Sequence, residues 1–152
     1  MPHSVGSISD TLFIVNDSQN VPIVKVTLSG ISQYVPPRPP ENVAIDAVGQ
    51  NAAIVWDAVT ENIFGAQFTP DYYLIFYNGS NDPVNGTYYY LARSYSPSYI
   101  HDGVLVHAQH MFYKIYAYKS YGSRNMDPSL LLIPGMTEHE VIEIIHFKAD
   151  IK

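Results

Sequence analysis

Asp71-Tyr72-Tyr73-Leu74-Ile75-Phe76-Tyr77 is apolar or aromatic at every position after the first. Successive side chains of a strand point to opposite faces. A strand of this composition is therefore covered on both sides and belongs at the centre of a sheet. The segments before it have a different pattern. Asn42 to Val48 carries Val43, Ile45 and Ala47 on one face, and Ala52 to Asp57 carries Ala52, Ile54 and Trp56 on one face. After it, Asn78-Gly79-Ser80-Asn81-Asp82-Pro83 and Asn85-Gly86 are dense turn signals.

The series continues with Tyr88 to Ala92, Tyr99-Ile100, His110 to Lys119 and Leu130 to Ile133. Seven short strands over about a hundred residues, punctuated by turns, predict an all-β fold, an immunoglobulin-like antiparallel sandwich. Composition agrees: 13 of the 152 residues are tyrosine, which packs its ring and keeps a wet hydroxyl, as a half-buried strand requires. Charged residues make up only 14%, against about 25% in an average globular chain.

Within this region several stretches resemble the fibronectin type III family. Pro39-Pro40-Glu41-Asn42-Val43 looks like its proline-led first strand, and Ala53-Ile54-Val55-Trp56-Asp57 like the second strand with its core Trp. Asp71 to Tyr77 is similar to the Tyr-rich third strand, and Tyr113-Lys114-Ile115-Tyr116-Ala117 to the sixth. The resemblance implies a fibronectin type III domain over 41–134 and a structural core of Trp56, Tyr113, Ile54, Ile115 and Ala117. It also implies a tyrosine corner, with the Tyr113 hydroxyl bonded to backbone between Gly103 and Gln109. Two departures stand out: the loop from Thr60 to Pro70 is long, and Tyr121 to Asp127 has no Arg-Gly-Asp triplet, so integrin binding does not carry over.

Upstream, Thr11 to Val15 and Ile23 to Leu28 read as a β-hairpin around Asn16-Asp17-Ser18-Gln19-Asn20. Phe13-Ile14-Val15-Asn16-Asp17-Ser18 and Val26-Thr27-Leu28-Ser29-Gly30 resemble the last two strands of Hydin-like or choice-of-anchor sandwich domains. Residues 1–33 are then the tail of an upstream sandwich whose apolar strands seek cover, on the next domain or on a second copy of the chain. Residues 34–40 hold four prolines in the five positions 36–40, an extended connector excluded from a sheet interior. At the other end, in the extension 135–152, Thr137-Glu138-His139-Glu140 is a capping box, with Met136 and Val141 placed for a hydrophobic staple. The β-branched Val141, Ile142, Ile144 and Ile145 favour a strand instead. A short helix is expected on the strength of the cap.

Catalytic and metal chemistry finds little support. No cysteine is present, which removes disulfides, thiolate ligands and thiol nucleophiles together. His101, His107 and His110 lie close in sequence, but residues three apart on a strand face opposite ways, and no carboxylate stands at ligand spacing. There is no Gly-x-Ser-x-Gly elbow or phosphate loop, and Asp57 and Glu61 lie where a surface loop belongs. The chain reads as a non-enzyme needing no cofactor or metal.

A formal charge of -6 with only eight Lys and Arg disfavours nucleic acid and anionic membrane as partners. No apolar run approaches a membrane span, and Met1-Pro2-His3-Ser4 has neither a basic start nor an apolar stretch. The resemblances imply a secreted or cell-surface protein whose signal lies elsewhere. The expected role is a spacer or protein-interaction module, with the other domains of its parent, an unknown protein or a polysaccharide as partners and residues 1–33 as a site of self-association. The rival is a carbohydrate-binding accessory domain that stacks sugar rings on Tyr89, Tyr95 and Tyr99. Strand alternation sends Tyr88 and Tyr90 to one face and Tyr89 to the other. Asn-x-Ser/Thr sequons stand at Asn16, Asn78 and Asn85. They are glycan sites in a eukaryotic secreted protein and turn chemistry in a bacterial one.

Overall fold

The computed structural model describes residues 6–15, 23–32, 35–106, 110–120 and 131–150. The chain divides into two compact units, Met1–Tyr34 with Tyr121–Arg124 and Val35–Ser120 with Asn125–Lys152. Strands dominate both, all paired antiparallel, with a single α-helix and one short 3-10 turn, Val104–Val106, among the described residues.

In the first unit β1 (Gly6–Val15) and β2 (Ile23–Ser32) form a hairpin ladder from Gly6 opposite Ser32 to Val15 opposite Ile23. Both strands are longer than the sequence pattern suggests. The register puts Leu12 beside Val26 and Ile14 beside Val24, with Leu28 on the same face opposite Asp10. All five of these apolar residues are exposed, from 37% for Val26 to 52% for Leu28. On the other face Lys25 lies over the Phe13 ring, its Nζ 5.6 Å from the centroid. The expected turn at 16–20, and with it Asn16, lies outside the described residues.

The second unit holds two three-stranded sheets. One has the order β3 (Ala44–Val48), β4 (Asn51–Val55), β7 (Ser98–His101); the other has β6 (Tyr89–Ser94), β5 (Tyr72–Asn78), β8 (Phe112–Tyr118). The strand that decides the fold, β5, is central as expected, and all its residues except Tyr77 are buried. Its Tyr73–Ile75–Tyr77 face meets the first sheet. The Tyr73 ring stands edge-on to Trp56 at 5.2 Å, and its hydroxyl accepts the Val59 amide at 3.0 Å. Trp56, Ile54 and Ala117 are buried as expected; Tyr113 and Ile115, on the edge strand β8, are only half-buried.

The opposite face of β5 is covered by α1 (Glu138–Asp150), a third layer that explains why the strand is apolar on both sides. Tyr72, Leu74 and Phe76 pack with Tyr88, Tyr90 and the fully buried Val141, one helical turn from Ile145. Residues four apart share a helix face, so two of the β-branched residues that argued for a strand, Val141 and Ile145, are recruited to this contact, while Ile142 faces solvent. The cap decides the conformation. Thr137 and Glu140 bond reciprocally, and Met136 closes on the cluster around Val141.

The strand expected at Leu130–Ile133 is not formed by its described part, Leu131–Ile133. Pro134 and Gly135 intervene: Gly135 has φ +94° and the Met136 amide bonds back to the Ile133 carbonyl at 3.2 Å, closing a turn with Pro and Gly at its centre. The chain then runs along the edge of β6, where the Gly135 amide donates to the Tyr90 carbonyl, the Tyr90 amide to the Met136 carbonyl and the Glu138 amide to the Tyr88 carbonyl. Six strands, not seven, make up the described sandwich.

The proline segment also differs from a free connector. Ile63 donates to the Pro36 carbonyl and the Arg38 amide to Glu61, so residues 36–38 line the 61–63 segment. Proline tolerates such an edge because it needs to donate nothing there.

Candidate ligand-binding cleft

At one end of the second unit, aromatic rings from both sheets meet. Tyr89 lies across from Tyr77 on β5 with centroids 6.1 Å apart; Tyr77 contacts the His101 ring at 5.8 Å, and His101 contacts Tyr113 at 5.9 Å. The ladders account for this line of rings, since Tyr77 pairs with both Tyr89 and Tyr113 while His101 ends β7 opposite Ala52. Tyr113 hydroxyl and His101 Nδ1 are hydrogen-bonded at 2.9 Å. A tyrosine corner is expected to use backbone between Gly103 and Gln109; among the described residues the hydroxyl's partner is instead this side chain on β7, and residues 107–109 of the expected stretch lie outside them.

Beside these rings opens a cleft of about 730 Å³, lined by Tyr77, His101, Asp102, His110, Asn81 and Met111 among others. Its rim is well ordered by local bonds. Asn78 is buried, donates from Nδ2 to the Asp82 carbonyl and accepts the Ser80 amide at Oδ1. Asp82 in turn accepts the amides of Val84 and Asn85, which holds its carboxyl below the usual range. Gly86 is obligatory: a Cβ there would lie 2.3 Å from the Asp82 carbonyl oxygen. Opposite, Gly103 has φ +66° and donates to Asn51, turning the chain after Asp102.

The electrostatics are mild. Burial lowers the His101 pKa, with Asp102 opposing, so the imidazole is neutral at pH 7. Burial, with Tyr99 adding, pushes the Tyr113 phenol up to about 12. No lysine or arginine lines the cleft among the described residues. No group of three His, Cys, Asp or Glu side chains able to hold a metal ion occurs among them either, and His107 lies outside.

The three tyrosines singled out from sequence are not brought together. A bulge between Ile75 and Phe76 on the ladder to β6 leaves Leu91 unpaired and changes the alternation along that strand. Tyr89 joins the ring line near the cleft, while Tyr95, 71% exposed, stands edge-on to Tyr72 and under Arg93 at the far end of β6. Tyr99 is half-buried on β7 opposite Ile54. Periodicity alone hid this separation, because one unpaired residue reverses the face of everything after it. Neither His101 nor Tyr77 carries a sequence signal for this site: Tyr77 is one of a run of apolar residues, and His101 has no ligand-spaced carboxylate pattern around it.

No family model, no curated protein and no solved structure matches this chain. Among the described residues no helix is long and apolar enough to cross a membrane.

Proposed function

We propose that the chain is a non-catalytic spacer and protein-interaction module of a larger secreted or cell-surface protein, with its second unit a fibronectin type III-like domain. The observation that carries this reading is the division at Tyr34/Val35. Each unit closes its own hydrogen-bond ladders, as modules strung along a longer chain do. The strand orders β3-β4-β7 and β6-β5-β8 are those of the first, second and fifth strands and of the flanked third strand in an immunoglobulin-like sandwich, which supports the family resemblance.

Protein contact is assigned to the hairpin. Its face of Leu12, Ile14, Val24, Val26 and Leu28 has the alternation of a sandwich half with no facing sheet within its own ladder. A two-stranded sheet is marginal alone in water. A second copy of the chain is the occupant we assign, since a two-fold contact matches a patch to itself and the charge on this face is confined to Asp10. Sedimentation of the full chain and of a Leu12→Lys, Val26→Lys variant tests this. Concentration-dependent association that the variant loses is expected; a full chain that stays monomeric contradicts the assignment.

A further inference from the structure

The cleft at the end of the second unit has a composition that fits one ligand chemistry. A pyranose ring offers an apolar face of C–H groups and a rim of hydroxyls that both donate and accept. Recognition needs aromatic surface beside several hydrogen-bonding polar groups. Tyr77 lines the cleft and is backed by Tyr89, which is 38% exposed. The polar groups are the Asn81 amide, the two imidazoles of His101 and His110 and the Asp102 carboxylate. An amide and imidazoles supply both donors and acceptors, as hydroxyl recognition requires.

Other ligand classes fit less well. An anion would meet Asp102 with no lysine or arginine among the described lining residues to balance it. A metal ion lacks a ligand cluster among the described residues. A wholly apolar ligand would strip water from Asn81, Asp102 and both histidines without replacing their hydrogen bonds. The volume of about 730 Å³ lies within the roughly 300–1,000 Å³ of small-molecule sites, room for more than one sugar ring.

We propose that the cleft between Tyr77, Asn81, His101, Asp102 and His110 binds a neutral oligosaccharide. Sugar binding thereby moves from the exposed Tyr95 to the opposite end of β6. His101 is held in place by its bond to Tyr113, so one imidazole nitrogen is fixed and the ring orientation is set before a ligand arrives.

The test is a titration of the full chain, followed by NMR at the imidazole Cε1–H resonances of His101 and His110. The probes are cellotriose, maltotriose, mannotriose and chitotriose, with a sulfated glucose as the anionic control. Saturable shifts at both histidines with at least one neutral trisaccharide, and none with the sulfated sugar, are expected. Asn81→Ala, at an exposed loop position that leaves the core untouched, should weaken binding by up to about tenfold, the effect of one lost hydrogen bond. Tyr95→Ala should leave the affinity unchanged. Absence of a saturable shift with all four trisaccharides overturns the proposal, as does preference for the sulfated sugar or loss of binding in Tyr95→Ala. None of these outcomes alters the sedimentation result that tests the hairpin contact.

Discussion

Thr137 and Glu140 hold each other across the first turn of α1. The Thr137 amide and hydroxyl both donate to Oε2 of Glu140, at 2.7 and 2.8 Å, and the Glu140 amide donates back to the Thr137 hydroxyl at 3.3 Å. This cap starts the helix where Glu138 reaches β8, bonding Lys114 at 2.9 Å and the Tyr116 hydroxyl. The outer face of the central sheet is thereby closed by a segment that the strand pattern alone would not place there.

Removing the cap should loosen that layer. Thr137→Ala is expected to cost about 0.5–2 kcal/mol in urea unfolding, as N-cap substitutions do. Its bonds to Thr137 hold the Glu140 carboxyl below its ordinary 4.5. A group with a depressed folded pKa adds stability above its unfolded value and loses it as pH falls through the folded one. The Thr137→Ala deficit should therefore shrink as pH falls below about 4.5, the ordinary glutamate value.

Trp56 is the centre of the contact between sheets, 5% exposed and edge-on to Tyr73. Trp56→Ala should cost about 3–5 kcal/mol by denaturant unfolding. Its Nε1 is buried without a hydrogen-bond partner among the described residues. Trp56→Phe therefore removes an unsatisfied donor along with some ring contact, and should cost clearly less than Trp56→Ala.

The two outcomes differ in how far sequence foretold them. Ala52, Ile54 and Trp56 alternate cleanly, so both the strand and its buried face were legible. Thr137 and Glu140 at capping spacing located the helix start to the residue, although four β-branched residues spoke against it. Its packing site was not legible, because only the doubly apolar β5 hinted that something beyond a facing sheet was needed. The cleft escaped for a different reason. It depends on a bulge near Leu91, on a Pro134-Gly135 turn that replaces a strand, and on a loop sealed around Asn78. The first two are backbone events of one or two residues and the third is closed by side-chain bonds within a loop, and binary patterning averages over such features.

Tyr113→Phe keeps the ring contacts and removes the bond to His101 Nδ1. A loss of about 1 kcal/mol in unfolding free energy is expected. An unchanged transition would separate the hydroxyl from the stability of this end of the sandwich.

His101 gives a pH signature of its own. Burial holds its pKa below the ordinary 6.5, with Asp102 working against that and Tyr77 and Tyr113 packed on the ring. The unfolded chain then takes up the proton first. Stability present above about 6.5 is lost as pH falls through the lower folded value. The wild-type midpoint in urea should decline over that window, and His101→Asn should flatten the decline.

Asn78 and Asn85 carry neighbouring sequons with opposite environments: Asn78 is 1% exposed and bonded at both ends of its amide, while Asn85 is exposed at the loop tip. Expression through a eukaryotic secretory route should therefore yield folded protein carrying glycan at Asn85 and none at Asn78, as read by peptide mass mapping. Folded protein modified at Asn78 would contradict the loop described around it.

The modular reading stands or falls with the autonomy of the second unit. A chain beginning at Val35 keeps the Pro36 carbonyl that accepts Ile63, both sheets and α1, and discards the hairpin. Residues 35–152 alone should unfold in one cooperative urea transition with Trp56 still in an apolar environment, and should sediment as a monomer. A truncated chain with no cooperative transition would show that the first strands belong to the sandwich and that the boundary at Tyr34/Val35 is wrong.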